Sequence, residues 1–294
     1  MELRQLEHVL AVAESGSLTG ASARTGLTQQ ALSKSLSRLE EYLGGRLFER
    51  TAHGMTLTRL GETVVENAID VVSNVARLRA AAAAELGLKQ GKLVIGLSPV
   101  AATTHIGRRV AVFAENNPGL RIDVEAGIGP TFIDSLHRGR IDFALATQSE
   151  VLADNLIVEP IATERWGVTA RVGNPLLEPA SSLVDLAGAH WVIGGTMEPL
   201  QESIEQSFAE VGLPRPQPGI VTTSPLFAVV TLMQSNHLAI MPRSLCDLHK
   251  DLIWKDLTGS WTTSIYLLRR KRAQFSRDAQ RLLSELKAGI GAPP

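Results

Sequence analysis

The chain has 294 residues, 44% hydrophobic and 20% charged, with a formal net charge of −1 and a pI of about 6.7. This composition carries enough apolar material for one to three packed domains, and a single cysteine, Cys246, excludes a disulfide framework within the chain. There is no basic-then-apolar leader and no apolar run near the ~20 residues that span a bilayer, so a cytoplasmic location is expected, while the near-zero net charge points neither toward nucleic acid nor away from it.

Leu3, Leu6, Val9, Leu10 and Ala13 share one face, which predicts an amphipathic first helix. Ser15-Gly16-Ser17 stops it, and Ser17 is a suitable N-cap for a short second helix carrying Leu18, Ala21 and Ala23. Gly26 ends that helix and Thr28 caps a third. At about 100° per residue, Leu32, Leu36, Leu39 and Leu43 form a narrow stripe. Gln29, Gln30, Ser33, Lys34 and Ser37 occupy a separate arc. Amides, hydroxyls and a lysine are the chemistry that reads base edges: Gln pairs bidentately with adenine, Lys meets guanine, and Ser serves either. In a helix-turn-helix, the second helix of the motif enters the major groove by its N-terminal part, where these residues lie. The competing reading is an ordinary solvated polar face.

A hairpin signal follows: Leu47–Arg50, then Thr51-Ala52-His53-Gly54, then Met55–Thr58. Placed here, the hairpin is a wing whose Arg50, Thr51 and His53 reach phosphate or the minor groove. Residues 1–60 hold seven basic and six acidic side chains, a net of +1, so counterion release by one copy is modest and pooled contacts from several copies are expected. Val64, Ala68, Val71, Val75, Leu78 and Ala82 are spaced 4, 3, 4, 3, 4, the pattern of a coiled-coil seam. That predicts a dimerisation helix; packing on the chain's own domain is the alternative. The resulting organisation is a DNA-binding unit over 1–58, a linker helix over 59–89 and an α/β region over 90–294.

From Lys92 onward, strand-like and helical runs alternate, which predicts an α/β region on a largely parallel sheet. Strands are expected at Lys92–Ser98, Leu120–Ala126, Ile141–Ala146, Trp166–Ala170, Trp191–Gly194, Leu238–Met241 and Ile265–Arg269. Helices are expected at Thr103–Asn116, Pro130–Gly139, Pro199–Gly212 and Pro225–Asn236, with a last one from about Phe275 to Lys287. Ligands of such sheets sit beyond the C-terminal strand ends, against helix N-termini. The candidates there are Ser98, Pro99, Thr103, Gly129, Thr147, Thr196 and Thr223. Ordinary N-capping explains each hydroxyl equally well; several converging is the stronger signal. Hydroxyl and backbone N–H donors suit a small carboxylate, another anion or a polar neutral ligand.

No G-x-x-x-x-G-K-[ST], H-E-x-x-H or G-x-S-x-G motif occurs; Gly96-Leu97-Ser98-Pro99-Val100 lacks the final glycine. Cys246 and His249 form a lone C-x-x-H pair without metal-site spacing, and Cys246 reads as a small buried hydrophobe. No enzyme activity, cofactor or metal is expected. A small-molecule binder whose N-terminal helices serve assembly remains the alternative to a DNA-binding regulator.

The runs AVAESGSLTGAS, LTQQALSKSLSRLEEYLGGRLFER and GMTLTRLGE closely resemble the N-terminal domain of LysR-type transcriptional regulators. KLVIGLSP, FAENNPGLRIDV and LHRGRIDFALA resemble the start of that family's effector-binding domain. The resemblance implies a multi-domain chain: an all-α winged helix-turn-helix, a long dimerising linker helix, and a periplasmic-binding-protein-like effector domain of two Rossmann-like lobes. Lobe I would cover about 90–162 and 265–294, and lobe II about 163–264. It further implies a homodimer assembled into a homotetramer, and a small effector between the lobes that changes DNA bending. The family commonly has proline one residue after the glutamine that opens helix three; here Gln30 stands there and would offer a further base contact.

Overall fold

The computed structural model describes residues 1–51, 54–85, 91–147, 156–194, 198–271 and 273–288. Helices α1 (Leu3–Ser15), α2 (Leu18–Thr25) and α3 (Gln29–Leu43) pack around Leu6, Val9, Val12, Leu32, Leu36 and Leu39. The stripe of leucines on α3 thus faces inward, each burial contributing roughly 1.5–3 kcal/mol. Ser17 accepts from the Gly20 N–H at 3.1 Å and Thr28 from the Ala31 N–H at 3.2 Å, so both hydroxyl oxygens cap the helices that follow them. Strands β1 (Phe48–Thr51) and β2 (Gly54–Leu57) pair antiparallel, anchored by the buried Leu47 and Phe48. His53 lies outside the described residues.

Helix α4 (Arg59–Glu85) crosses α1 and then meets the C-terminal region. One turn of it is used on both sides. Ala68 is in the N-terminal core, whereas Ile69 is buried against the loop at Gly139 and Asp70 lies 3.2 Å from the Arg270 Nε. The seam spacing therefore describes two environments and not one. Val64 and Ala68 pack on the chain's own N-terminal domain because α4 lies across α1 there. Val71, Leu78 and Ala82 are exposed and Val75 is half-buried.

The C-terminal region runs β3 (Gly91–Leu97), α5 (Pro99–Thr103), α6 (His105–Asn116), β4 (Leu120–Ala126), α7 (Gly129–His137) and β5 (Phe143–Thr147). Then come β6 (Leu156–Arg171), a 3₁₀ turn at Leu183–Leu186, β7 (Trp191–Gly194), α8 (Glu198–Glu210), β8 (Pro218–Thr222) and α9 (Pro225–Gln234). It closes with β9 (Leu238–Pro242), α10 (Arg243–Cys246), β10 (Leu252–Lys255), β11 (Thr262–Arg270) and α11 (Arg277–Ala288). The strand order is β4-β3-β5-β11-β6-β9-β7-β8, with β10 on β6.

Two parallel groups, β3-β4-β5 and β7-β8-β9, form the lobes. They are joined by antiparallel pairing of β6 with β11, β9 and β10, so the sheet is mixed and not largely parallel. The physical cause is that β6 runs unbroken through both lobes and β11 returns alongside it in the opposite sense. Their register shifts between Ile265 and Tyr266, which pair with Ala162 and Pro160 and leave Ile161 as the extra residue. Pro160 is tolerated at that bulge because its missing N–H breaks no regular ladder. The described helices include none long and apolar enough to cross a membrane.

Candidate nucleic-acid interface and ligand cleft

Side chains from three directions fix α3. The His8 Nδ1 lies 2.7 Å from the Ser35 Oγ, the Glu40 Oε1 accepts from the Leu47 N–H at 2.7 Å, and the Gln29 Nε2 donates to the Thr19 Oγ1 at 3.1 Å. Held this way, α3 presents Gln29, Gln30, Lys34 and Ser37 to solvent, with Ser33 half-exposed. The polar arc is therefore an outward face of the helix, roughly a third of a turn from the buried leucines. Pairing of Glu14 with Arg24 and use of Glu40 by the backbone occupy two of the acids. Lys34, Arg38, Arg46 and Arg50 are exposed and make no ion pair among the described residues, so their charges are available to a phosphate backbone, with the exposed Glu41 and Glu49 between them in sequence. The Met55 N–H donates to the Gly16 carbonyl at 2.8 Å, which docks the hairpin on the turn between α1 and α2. Arg50 and Thr51 are exposed on β1.

A cavity of about 630 Å³ opens where the C-terminal ends of β3, β5, β7, β8 and β9 converge, the location expected for a ligand of a two-lobed α/β domain. Ser98, Pro99, Thr103, Thr147 and Thr223 line it, while Thr196 lies outside the described residues. Gly129 does not line it: as the first residue of α7 it is buried, and the preceding Ile128 reaches the cavity in its place. Thr103 closes α5 and does not open the next helix, because Thr104 caps α6 separately.

The hydroxyls divide by what they already do. Ser98 caps α5 and Ser224 caps α9. Thr103 bonds the Ser244 Oγ at 2.9 Å, a contact from lobe I to lobe II. The Ser244 N–H donates to the Glu164 Oε1 at 2.9 Å, and Glu164 sits on β6 where it passes between the lobes. Glu164 is buried, and loss of hydration pushes its carboxyl above the usual carboxylate range, partly offset by the donor from Ser244. Cys246 is likewise buried; desolvation raises its thiol to about 11, so it is not a reactive thiolate.

Sequence reasoning missed the apolar walls. Trp166, Trp191, Leu200 and Met241 line the cavity and also belong to the buried clusters of lobe II. Spacing alone gives them no mark that separates a cavity wall from a core position.

A winged helix-turn-helix on a long helix, followed by a two-lobed cleft, defines a ligand-responsive DNA-binding regulator. Residues 3–62 match the family model described as the bacterial regulatory helix-turn-helix protein, lysR family, and residues 86–290 match the LysR substrate binding domain. The chain belongs to the LysR family of transcriptional regulators. It is 26% identical over 248 residues to the HTH-type transcriptional regulator GbpR of Azospirillum brasilense, covering 83% of this chain and 72% of that protein. It is 32% identical over 206 residues to the SDS degradation transcriptional activation protein of Pseudomonas sp. (strain ATCC 19151), covering 68% of this chain and 66% of the relative. Among solved structures it is similar to ArgP from Mycobacterium tuberculosis, with a TM-score of 0.70 and 19% identity, over 98% of this chain and 97% of that one.

Proposed function

We propose that this protein works from the cytoplasm as a transcription regulator without enzymatic activity, built from a reader over 1–58, a linker helix over 59–89 and an effector domain over 90–294. The observation that carries the reading is the arc of Gln29, Gln30, Ser33, Lys34 and Ser37, turned outward on a helix whose leucine stripe is buried, in a domain that carries a docked wing. Lys34 and Arg50 would hold phosphate or base edges, and the amides would read adenine. Ser17 and Thr28, whose oxygens are occupied as caps, would offer hydroxyl protons to phosphate.

One reader of modest charge binds weakly, so assembly is part of the mechanism. The outward part of the α4 seam, the exposed Val71, Leu78 and Ala82 with the half-buried Val75, would pair with the same stripe of a second copy, and two such dimers would make the tetramer. A small molecule between the lobes would then change DNA geometry by altering the angle between them.

A gel-shift titration of the full chain on the DNA upstream of its own gene tests the reading. A discrete complex should form at low salt, survive excess unrelated DNA, and weaken steeply as salt rises. Formation only of smeared complexes that unrelated DNA removes in full would overturn it.

A further inference from the structure

We propose that the effector of this protein is a bulky hydrocarbon molecule with a single polar head, and not a compact anion. The proposal rests on the reading of the cleft as the effector site and names the chemistry of its occupant.

Three observations carry it. The first is size: about 630 Å³ holds a drug-sized ligand and would leave a small carboxylate mostly unpacked. The second is the floor. Trp166, Trp191, Val192, Leu200, Ala239 and Met241 all line the cavity while belonging to the two buried clusters of lobe II, so the space opens into a hydrophobic core. An occupant there must desolvate, and only an apolar body does so favourably.

The third is charge. Among the described residues, Arg215 and Glu205 are the only charged side chains in the lining, and their Nη1 and Oε1 stand 3.9 Å apart. Arg215 is 69% exposed, so its charge belongs to the mouth and not the floor. A compact anion pressed against the floor would find no cation there among the described residues. The polar head therefore stays at the mouth, where the exposed Arg215 and Thr223 belong to the lining, and the hydrocarbon fills the depth.

Titration of the full chain with octanoate, decanoate and dodecanoate below their micellar concentrations, with succinate as the compact comparison, decides the matter. Trp166 and Trp191 in the floor supply a fluorescence signal that calorimetry checks. The expected result is affinity rising about fourfold per added methylene, with no response to succinate. Ile204→Trp, which fills the wall from α8, should weaken dodecanoate at least tenfold. Ile204→Gln, which adds no bulk, should weaken it less and show that the wall remains folded. A flat dependence on chain length, or dodecanoate binding indifferent to both variants, overturns the proposal. Succinate binding that Ile204→Trp abolishes, with the alkyl chains silent, also overturns it while leaving the cleft as the effector site. Alkyl binding with the expected slope that leaves the operator complex unchanged upholds the ligand chemistry and defeats the effector role.

Discussion

Gly54→Ala should reduce operator affinity at least tenfold while leaving the effector domain intact. Gly54 has φ 123°, a region that costs a residue with a Cβ about 1–3 kcal/mol. A methyl group there would also overlap the Gly16 carbonyl oxygen. That carbonyl is the acceptor for the Met55 N–H, the bond that docks the wing on the turn before α2. The variant cannot keep both the hairpin's conformation and its dock, so Arg50 and Thr51 lose their fixed relation to α3. DNA binding by fluorescence anisotropy checks this, with Gly119→Ala as the control, because a methyl at Gly119 meets nothing within 4 Å. Equal affinity for the Gly54 variant and wild type would show that the wing does not contribute through this dock.

Gly61→Ala should destabilise the N-terminal domain by about 3 kcal/mol or more, reversing the sign expected for such a change in a helix. At an unobstructed helical position alanine gains up to ~1 kcal/mol over glycine. Here the added methyl would overlap the Leu47 carbonyl oxygen. That carbonyl cannot move freely, because it accepts from the Thr58 N–H at 3.0 Å, and the Thr58 hydroxyl in turn bonds the Arg46 carbonyl and receives the Gly61 N–H. The first turn of α4 would have to leave the wing strand. All four tryptophans lie at or beyond Trp166, so their fluorescence reports the effector domain alone. The variant should show an early loss of helical circular dichroism in a urea titration, with the tryptophan transition unmoved. Coincident, wild-type-like transitions by both probes would contradict the packing described for Gly61.

Helix α3 was visible in the residues themselves because three independent signals agreed. The leucine spacing of α3, the Thr28 cap and the Gly26 stop each constrain the same element. The effector domain was legible only in part. β6 begins ten residues before the Trp166–Ala170 core because Pro160 reads as a strand breaker, and only tertiary pairing reveals the bulge that accommodates it. β8 opens with Pro218-Gly219, which reads as a turn, and β10 is four residues between charged neighbours. The hydroxyls of the cleft were legible through the strand-end rule. Its apolar depth was not, because Trp191 and Met241 carry the same signature as any buried side chain.

The claim that α3 reads sequence is tested most directly by comparing wild type, Gln29→Ala and Ser33→Ala on the upstream site and on single-base variants of it. Each substitution should remove discrimination at one or two base positions, about 1–3 kcal/mol per lost contact, while affinity for unrelated DNA stays the same. If both variants rank the altered sites as wild type does, the reading face is not this arc of α3.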